Sequence, residues 1–345
     1  MSSADLQEKH WQSGPLPWQR DAFERLDAQY RQGRLPHALL LTGPVSIGKA
    51  WFAEAILAGL LCGDRSGLSA CGRCDGCQQA IAGSHGDLRW VRILTERDKK
   101  SIGIDQIRTA IEFVQKTAAY GAHKVLVIAP AGKMTTAAAN ALLKTLEEPS
   151  DDTLLVLVSH QPWLLPITVR SRCQQLVLAA PAHEQQVGWL IDAGVGEQDA
   201  VALTQLAPGQ PLGALALADP GLRTEYEQLN NIWQGLLSGS SGAEVAIDAL
   251  RKVELSEALV VLQRLIERRV LDMTAAELRG AGAASLLLHR IVSRLLNRLT
   301  AGVTPARDVV VANICRAVEA TVSRQPDQHG LESLADALGS LTGRE

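Results

Sequence analysis

The chain has 345 residues, of which 46% are hydrophobic and 21% charged, and its formal net charge is −3 with a pI near 6.3. This length and composition are typical of a globular protein of two or three domains and exclude a chain that is mainly disordered. The slight acidity excludes nucleic-acid binding through overall charge, so any contact with DNA has to use a local basic surface.

Residues 1–10 lack the apolar segment of a secretory signal, and no apolar run approaches the roughly 18 residues of a membrane span. We therefore expect a cytoplasmic protein that makes no contact with a membrane. Cytoplasmic proteins rarely carry disulfides, so the six cysteines are expected to be free thiols or metal ligands.

A helix is predicted over residues 19–32, and its apolar side chains at helical spacing indicate core packing rather than a site. A buried strand over residues 39–42 then leads into Gly43-x4-Gly48-Lys49 and a second helix. Glycines at this spacing let the backbone direct several N–H groups at one anion, while the lysine and the helix start add positive charge. The segment therefore predicts a phosphate-binding loop that uses Gly43, Gly48 and Lys49.

The residue after the lysine is Ala50, at the position where a nucleotide-hydrolysing loop carries a Ser or Thr hydroxyl that ligates Mg²⁺. A methyl group cannot ligate a metal. The sequence thus predicts the backbone of a nucleotide site without its metal ligand.

Four cysteines follow the helix of this loop with the spacing C-x8-C-x2-C-x2-C, at Cys62, Cys71, Cys74 and Cys77. Tight turns between them let thiolates converge on one ion, and four sulfurs suit tetrahedral Zn²⁺. Because no His, Asp or Glu completes an open site, we predict a structural zinc ion in an insert over residues 62–77. An iron–sulfur cluster, which uses similar spacings, and a pair of disulfides are the alternatives.

Further strands are predicted where apolar runs occur, over residues 87–94, 124–128, 153–159 and 174–178. Helices are predicted between them, over residues 102–120 with Asp105 as the cap, and over residues 135–149. Strands that alternate with helices in this way indicate a doubly wound α/β domain with a largely parallel sheet.

In an ATPase with such a sheet, the acids that hold Mg²⁺ and polarise water directly follow the strand over residues 124–128. Here Ala129 and Pro130 follow, and no carboxylate appears before Glu147, at the far end of the next helix. We interpret Glu147 and Glu148 as a solvated pair. Ser159 ends the next strand, at a place where its hydroxyl could face a phosphate.

The composition changes near residue 180, after which no convincing strand pattern occurs. We therefore divide the chain into an α/β domain (residues 1–180), a small helical unit (181–219) and an all-helical domain (220–345). In the last of these, three arginines recur every four residues opposite leucines, and they form either a basic stripe for DNA or a partner, or a solvated helix face: Arg290, Arg294 and Arg298.

Three segments carry a resemblance to a known family: the four-cysteine insert, the run Ala-Ala-Asn-Ala-Leu-Leu-Lys-Thr-Leu-Glu-Glu-Pro over residues 138–149, and Ser171-Arg172-Cys173. With them the chain resembles the delta-prime subunits of bacterial DNA polymerase III clamp loaders, which are AAA+ proteins. The resemblance covers nearly the whole chain. It implies a RecA-like AAA+ domain with a parallel sheet, a small helical lid and an all-α C-terminal collar that holds five subunits in an open ring.

The resemblance also implies a role for Arg172 and a set of partners. In this family the arginine of Ser-Arg-Cys is projected into the ATP site of a neighbouring motor subunit, where its planar fork can engage the transferring phosphoryl group. The implied partners are the other subunits of a hetero-pentameric clamp loader, the sliding clamp and, through the complex, primer–template DNA. Without the resemblance, Arg172 would be interpreted as a surface ion-pair residue.

The chain differs from an active AAA+ site at four positions: Ala50, Ala129, Pro130 and Leu212. In active relatives, the position of Leu212 holds a sensing arginine. We therefore predict no Mg²⁺ site and no intrinsic ATPase activity, in a component of the DNA polymerase holoenzyme. The loop with Lys49 is then vestigial, and weak binding of nucleotide or phosphate stays open.

Three functions follow from these observations. The first is a non-hydrolysing ring subunit that helps to load the clamp and lends Arg172 to a neighbour. The second is a working ATPase of another AAA+ class, which predicts Mg²⁺-dependent turnover by the isolated chain. The third is a zinc-dependent DNA-binding module, which predicts salt-sensitive DNA affinity that chelation abolishes; the acidic pI and the closed four-cysteine set count against it.

Overall fold

The computed structural model describes residues 14–94, 101–119, 123–150, 152–251, 253–271, 273–274, 281–300 and 307–322. The chain forms two compact units, Met1–Ala218 and Asp219–Glu345. The helices predicted as a separate lid fall within the first unit, and their separation from the sheet domain stays a prediction.

Five parallel strands form one sheet in the first unit, in the order β2-β3-β4-β1-β5. Their bounds are β1 (Ala38–Thr42), β2 (Leu88–Val91), β3 (Lys124–Ile128), β4 (Thr153–Val158) and β5 (Gln174–Val177). The three central strands are buried along their whole length, as expected for a parallel sheet with both faces covered, because only continuous Leu and Val runs suit such a position. The predicted α/β fold class is confirmed.

Nine α-helices are described in the first unit, besides short 3-10 helices. They are α1 (Arg20–Arg31), α2 (Lys49–Leu61), α3 (Asp75–Ile81), α4 (Ile104–Val114), α5 (Thr136–Glu147), α6 (Ile167–Arg170), α7 (His183–Asp192), α8 (Glu197–Leu206) and α9 (Pro211–Ala216). Alternate residues of the central strands point to opposite faces, so Leu39 and Leu41 join the core formed with α1 and α2, whereas Leu40 joins the core formed with α4 and α5.

The regular elements in the described part of the second unit are all helices. Its helices are α10 (Pro220–Ser238), α11 (Ala243–Leu250), α12 (Leu255–Leu271), α13 (Ala281–Thr300) and α14 (Arg307–Val322). They share one apolar core around Trp233, whose indole N–H donates to the carbonyl of Ala258 at 2.8 Å. Asp219 caps α10 by accepting from the amides of Gly221 and Leu222, at 2.9 and 3.0 Å.

The predicted start and end of α4 are wrong. Its cap is Gly103, whose amide donates to the Gln106 side chain at 3.2 Å, and Asp105 lies inside the first turn with its side chain in solvent. The helix ends at Val114, and five residues further on the amide of Ala119 donates to the Asp87 carboxylate at 2.8 Å.

None of the described helices combines the length and the apolar character that crossing a membrane requires. Of the three arginines predicted to form a stripe, Arg290 is exposed on α13. The side chains of Arg294 and Arg298 lie outside the described residues.

A buried ion pair joins β3 to the segment that leads into β2. Lys124 Nζ lies 3.0 Å from Asp87 Oδ1, with side-chain exposures of 7% and 1%, and also 4.4 Å from the centre of the Phe113 ring. Removing one partner of such a pair leaves the other charge buried and uncompensated.

We expect Asp87→Asn to lower the free energy of unfolding by about 3–5 kcal/mol, measured by urea denaturation, because Lys124 then keeps an unpaired buried charge. Asp105→Asn is the matched control, since Asp105 forms an exposed pair with Arg108, and it should change stability by less than about 1 kcal/mol. Equal effects of the two substitutions would contradict this role of the buried pair.

Candidate functional site

The glycine-rich loop follows β1 and ends at the start of α2. Gly43 and Gly48 have φ angles of 141° and 83°, which side chains disfavour. A Cβ on Gly43 would lie 2.3 Å from the carbonyl oxygen of Leu178, and a Cβ on Gly48 would lie 2.4 Å from Leu16 Cδ1. Both positions therefore require glycine, as the spacing predicted.

Lys49 binds the loop itself. Its Nζ donates to the carbonyl oxygen of Gly43 at 3.0 Å and to that of Pro44, and the residue is 8% exposed. Burial lowers the pKa of Lys49 to about 8. The ammonium is thus bound by carbonyl oxygens of its own loop, and any phosphate would have to compete with them.

Side chains before α1 hold the loop from one side. Trp18 Nε1 and Gln19 Nε2 each donate to the carbonyl of Ile47 at 3.0 Å, and Gln19 Nε2 also donates to that of Gly48 at 2.9 Å. Gln19 is fully buried. No site is predicted in this stretch, because a glutamine next to an amphipathic helix gives no local signal for a partner that lies 28 positions away.

The region predicted as a lid holds the loop from the other side. The amide of Leu212 donates to the carbonyl of Ser46 at 3.0 Å, and Trp189 packs edge-on against Trp18 with ring centres 5.5 Å apart. At Leu212, where active relatives are expected to carry an arginine, a backbone hydrogen bond contacts the loop, and an aromatic contact lies nearby in the same predicted lid.

A cavity of about 410 Å³ opens beside the loop. Its lining is largely apolar and includes Ala50 and Ala129, two of the positions predicted to lack metal ligands. Among the described residues that line it, the carboxylate belongs to Glu54, one turn into α2, and Trp90 and Arg92 enter from the end of β2. Sequence reasoning missed these three residues because their positions follow no motif.

Ser159 lies at the end of β4, and its hydroxyl serves a local turn. It is 2% exposed, and its Oγ accepts from the amide of Gln161 at 3.1 Å. The buried hydroxyl of Ser159 therefore has a hydrogen-bond partner within the protein and needs no phosphate to satisfy it.

His160 lies next to two lysines at the same edge of the sheet. Burial first, and then the positive charges of Lys49 and Lys133, lower its pKa to about 4. The imidazole is therefore neutral at pH 7.

The four cysteines of the insert converge. Their Sγ atoms all lie within 4.8 Å of one another, with Cys62 and Cys77 buried and Cys71 and Cys74 half-buried. Cys62 and Cys74 Sγ are 3.8 Å apart, far from the roughly 2.05 Å of a disulfide and equal to the edge of about 3.8 Å that four thiolates at 2.3 Å form around tetrahedral Zn²⁺. A cluster of several irons would spread the thiolates over more than one metal. The set could hold a single metal ion such as zinc.

Backbone amides point at these sulfurs. The N–H groups of Arg73 and Cys74 lower the pKa of Cys71. Burial opposes the thiolate of Cys74, but amide donors that include Gly63, together with the thiols of Cys77 and Cys71, outweigh it and lower that pKa to about 6. Burial raises the pKa of Cys62 and of Cys77. Amide donors of this kind favour the thiolate form that a metal requires.

The insert is attached to α1. Arg65 Nε donates to the Tyr30 hydroxyl at 2.8 Å, and the amide of Leu68 donates to Asp27 Oδ1 at 2.6 Å. Gly59 of α2 lies so close that an added Cβ would be 2.0 Å from the Leu68 carbonyl oxygen. The insert therefore packs as part of the first unit.

Arg172 lies just beyond α6, with 35% of its side chain exposed. Its Nη1 donates to the carbonyl of Thr168 at 2.9 Å, and its Nη2 forms an ion pair with Glu147 Oε1 at the end of α5. Glu147 and Glu148 are both exposed, as their interpretation as a solvated pair predicts. That interpretation did not include the ion pair of Glu147, which forms because α5 packs against α6 and brings Arg172 to it.

We expect His160→Gln to reduce the loss of stability on acidification. The unfolded histidine takes up a proton near pH 6.5 and the folded one only near pH 4, so stability falls as pH falls between these values, by at most about 3 kcal/mol. Urea unfolding at pH 7 and pH 4.5 measures this loss. The exposed His183, changed to Gln, is the control and should leave the loss unchanged; a His160→Gln variant that loses as much stability as the parent would refute the prediction.

Comparison with known proteins adds independent findings. The family model described as DNA polymerase III, delta subunit, matches residues 18–182. DNA polymerase III subunit delta' of Pseudomonas aeruginosa is 38% identical over 242 residues, 69% of this chain and 72% of that protein. The same subunit of Escherichia coli K12 is 40% identical over 202 residues, 58% of this chain and 60% of that protein.

Among solved structures, a DNA polymerase III gamma subunit-related protein from Thermotoga maritima aligns over 88% of this chain and 99% of its own length, with 16% identity and a TM-score of 0.39. No conclusion is based on that weak structural likeness, and the family of this chain follows from the relatives in sequence. By its similarity to them, the chain belongs to the family of DNA polymerase III delta' subunits.

Proposed function

We propose that this protein is a non-hydrolysing subunit of a clamp loader, and that it supplies Arg172 to the ATP site of a neighbouring subunit. In this proposal its partners are the other subunits of a hetero-pentameric ring, the sliding clamp and, through the complex, primer–template DNA. The observation that carries the proposal is the contrast between a loop cavity without metal ligands at Ala50 and Ala129 and a partly exposed, oriented arginine.

The absence of hydrolysis rests on the chemistry of the cavity. Phosphoryl transfer needs a metal that neutralises charge on the phosphates and a group that orients the attacking water. Ala50 and Ala129 offer neither, and Lys49 is bound to the carbonyls of its own loop. Glu54 lies on α2 rather than after a strand, where the acids of such sites stand.

The surroundings of Arg172 support a role at a subunit boundary. Ile167 in α6 is 66% exposed and Trp163, four residues earlier, is 62% exposed. Large apolar side chains that stay exposed suit a surface that a partner covers. Arg172 follows these two residues within nine positions of the chain, so we expect it to reach the neighbour when the ring assembles.

A working ATPase of another AAA+ class is the second candidate, and Glu54 in the cavity is the observation that favours it. The two proposals differ in one measurement: the isolated chain should release no phosphate from ATP in the presence of Mg²⁺ if the first is right. Phosphate release that Lys49→Ala abolishes would establish the second.

We also propose that the four-cysteine cluster holds a structural zinc ion. The four sulfurs suit zinc in number, softness and spacing. The insert contacts α1 through Tyr30 and Asp27, so the ion would fix the insert against the helix that precedes the loop.

We expect Arg172→Ala to leave assembly of the loader intact and to lower turnover at the neighbour's ATP site by about 10³-fold, because the transition-state charge loses its guanidinium. Steady-state ATP hydrolysis by the reconstituted, clamp-stimulated complex should then fall to that of the remaining sites. Unchanged hydrolysis would overturn the assignment of Arg172. Arg108→Ala, which removes an exposed arginine on α4, is the control and should have no effect.

We expect the purified chain to contain one zinc ion, measured by atomic absorption, and Cys74→Ser to lose it with a fall in thermal stability, since structural zinc sites contribute folding free energy. Cys173→Ser is the control because Cys173 lies outside the cluster. Iron in place of zinc, or full zinc content in Cys74→Ser, would contradict the proposal.

A further inference from the structure

Glu147 and Thr168 together fix the orientation of the Arg172 side chain. The two contacts engage different nitrogens of the guanidinium, Nη2 for the Glu147 carboxylate and Nη1 for the Thr168 carbonyl. A planar group held at two of its atoms cannot rotate freely about its stem. Two of its five N–H donors are used in this way, and about a third of the side chain stays exposed.

The base that carries Glu147 is rigid. Glu147 is the last residue of α5, and Leu142 and Leu146 of the same helix are buried in the core against the sheet. The carbonyl of Leu146 also lies 3.1 Å from Nε2 of His37, just before β1. The carboxylate is therefore presented from a fixed helix end rather than from a loop.

Stability does not account for this acid. Carboxylates near the C-terminal end of a helix interact unfavourably with the helix dipole, and exposed ion pairs contribute little to folding. Glu147 is 48% exposed. The position of Glu147 is explained if its carboxylate orients the guanidinium of Arg172. Glu148, the next residue, makes no ion pair among the described residues.

We propose that Glu147 is a positioning residue that holds the guanidinium of Arg172 in the orientation in which it meets the neighbour's nucleotide. This inference rests on the proposed function of Arg172. An arginine fixed before the subunits meet loses less side-chain freedom when it engages a phosphoryl group, so the benefit appears in the chemical step.

The test is Glu147→Gln in the complete reconstituted loader, with Glu148→Gln as the matched control at the same helix end. Glu147→Gln should lower kcat for ATP hydrolysis by about threefold to tenfold, with KM for ATP and assembly unchanged, because a misoriented group slows the chemical step without weakening substrate binding. Glu148→Gln should leave both parameters unchanged. In an Arg172→Ala background, Glu147→Gln should have no further effect, since its partner is gone.

The outcomes separate this inference from the proposed function. A fall in kcat with Arg172→Ala but none, or a rise, with Glu147→Gln would overturn the role of Glu147 and leave that of Arg172 standing. A Glu147→Gln effect that persists in the Arg172→Ala background would show that the acid acts by another route. No effect of Arg172→Ala would overturn both. Thermal unfolding of each variant verifies that the exposed substitutions leave the fold intact.

Discussion

All five strands run in the same direction, so their carboxyl ends meet at one edge of the sheet, and the rest of the first unit depends on this constraint. The phosphate-type loop follows β1, Arg92 follows β2, Ala129 follows β3, and His160 follows β4. The loop, Arg92, Ala129 and Val158 at the end of β4, which are far apart in the chain, thereby line one cavity. In parallel sheets this edge is where ligands bind, which makes the chemistry of these few positions decisive.

Among the described residues, this edge carries two lysines, while Ala50 and Ala129 stand at positions where metal ligands are expected. Lys49 and Lys133 lie near His160, and Lys49 bonds to carbonyls of its own loop. The loop therefore keeps its shape through internal contacts, to which Gln19 adds on one side and Leu212 on the other. The side chain and backbone groups that hold the loop all belong to the protein itself.

The helix α1 connects two features that the sequence presents separately. Gln19, directly before it, bonds to the loop, and Asp27 and Tyr30 near its end bond to the cysteine insert. A metal in the cluster would thus stabilise the same helix whose start holds the loop. Gly59, pressed against Leu68, shows how closely the insert is packed, and this favours a structural role over that of a separate binding module.

The sequence by itself determined what depends on neighbours within a few residues. Glycine spacing fixes the loop, cysteine spacing predicts the metal ligands, apolar runs predict the buried strands, and the methyl group of Ala50 already rules out a metal ligand there. Prediction was wrong where a local pattern allowed two helix starts. Asp105 is a residue type that often caps helices, but the Gln106 side chain accepts from the amide of Gly103 instead, and the Asp105 carboxylate lies in solvent.

Only the tertiary structure decided which distant groups meet. Twenty-five positions separate Glu147 from Arg172, and only the packing of α5 against α6 turns an apparently solvated acid into the partner of the arginine. The hydrogen bonds of Gln19 to the loop and the position of Glu54 in the cavity have the same origin. Such contacts depend on the relative placement of whole elements, which side-chain periodicity along one element does not encode.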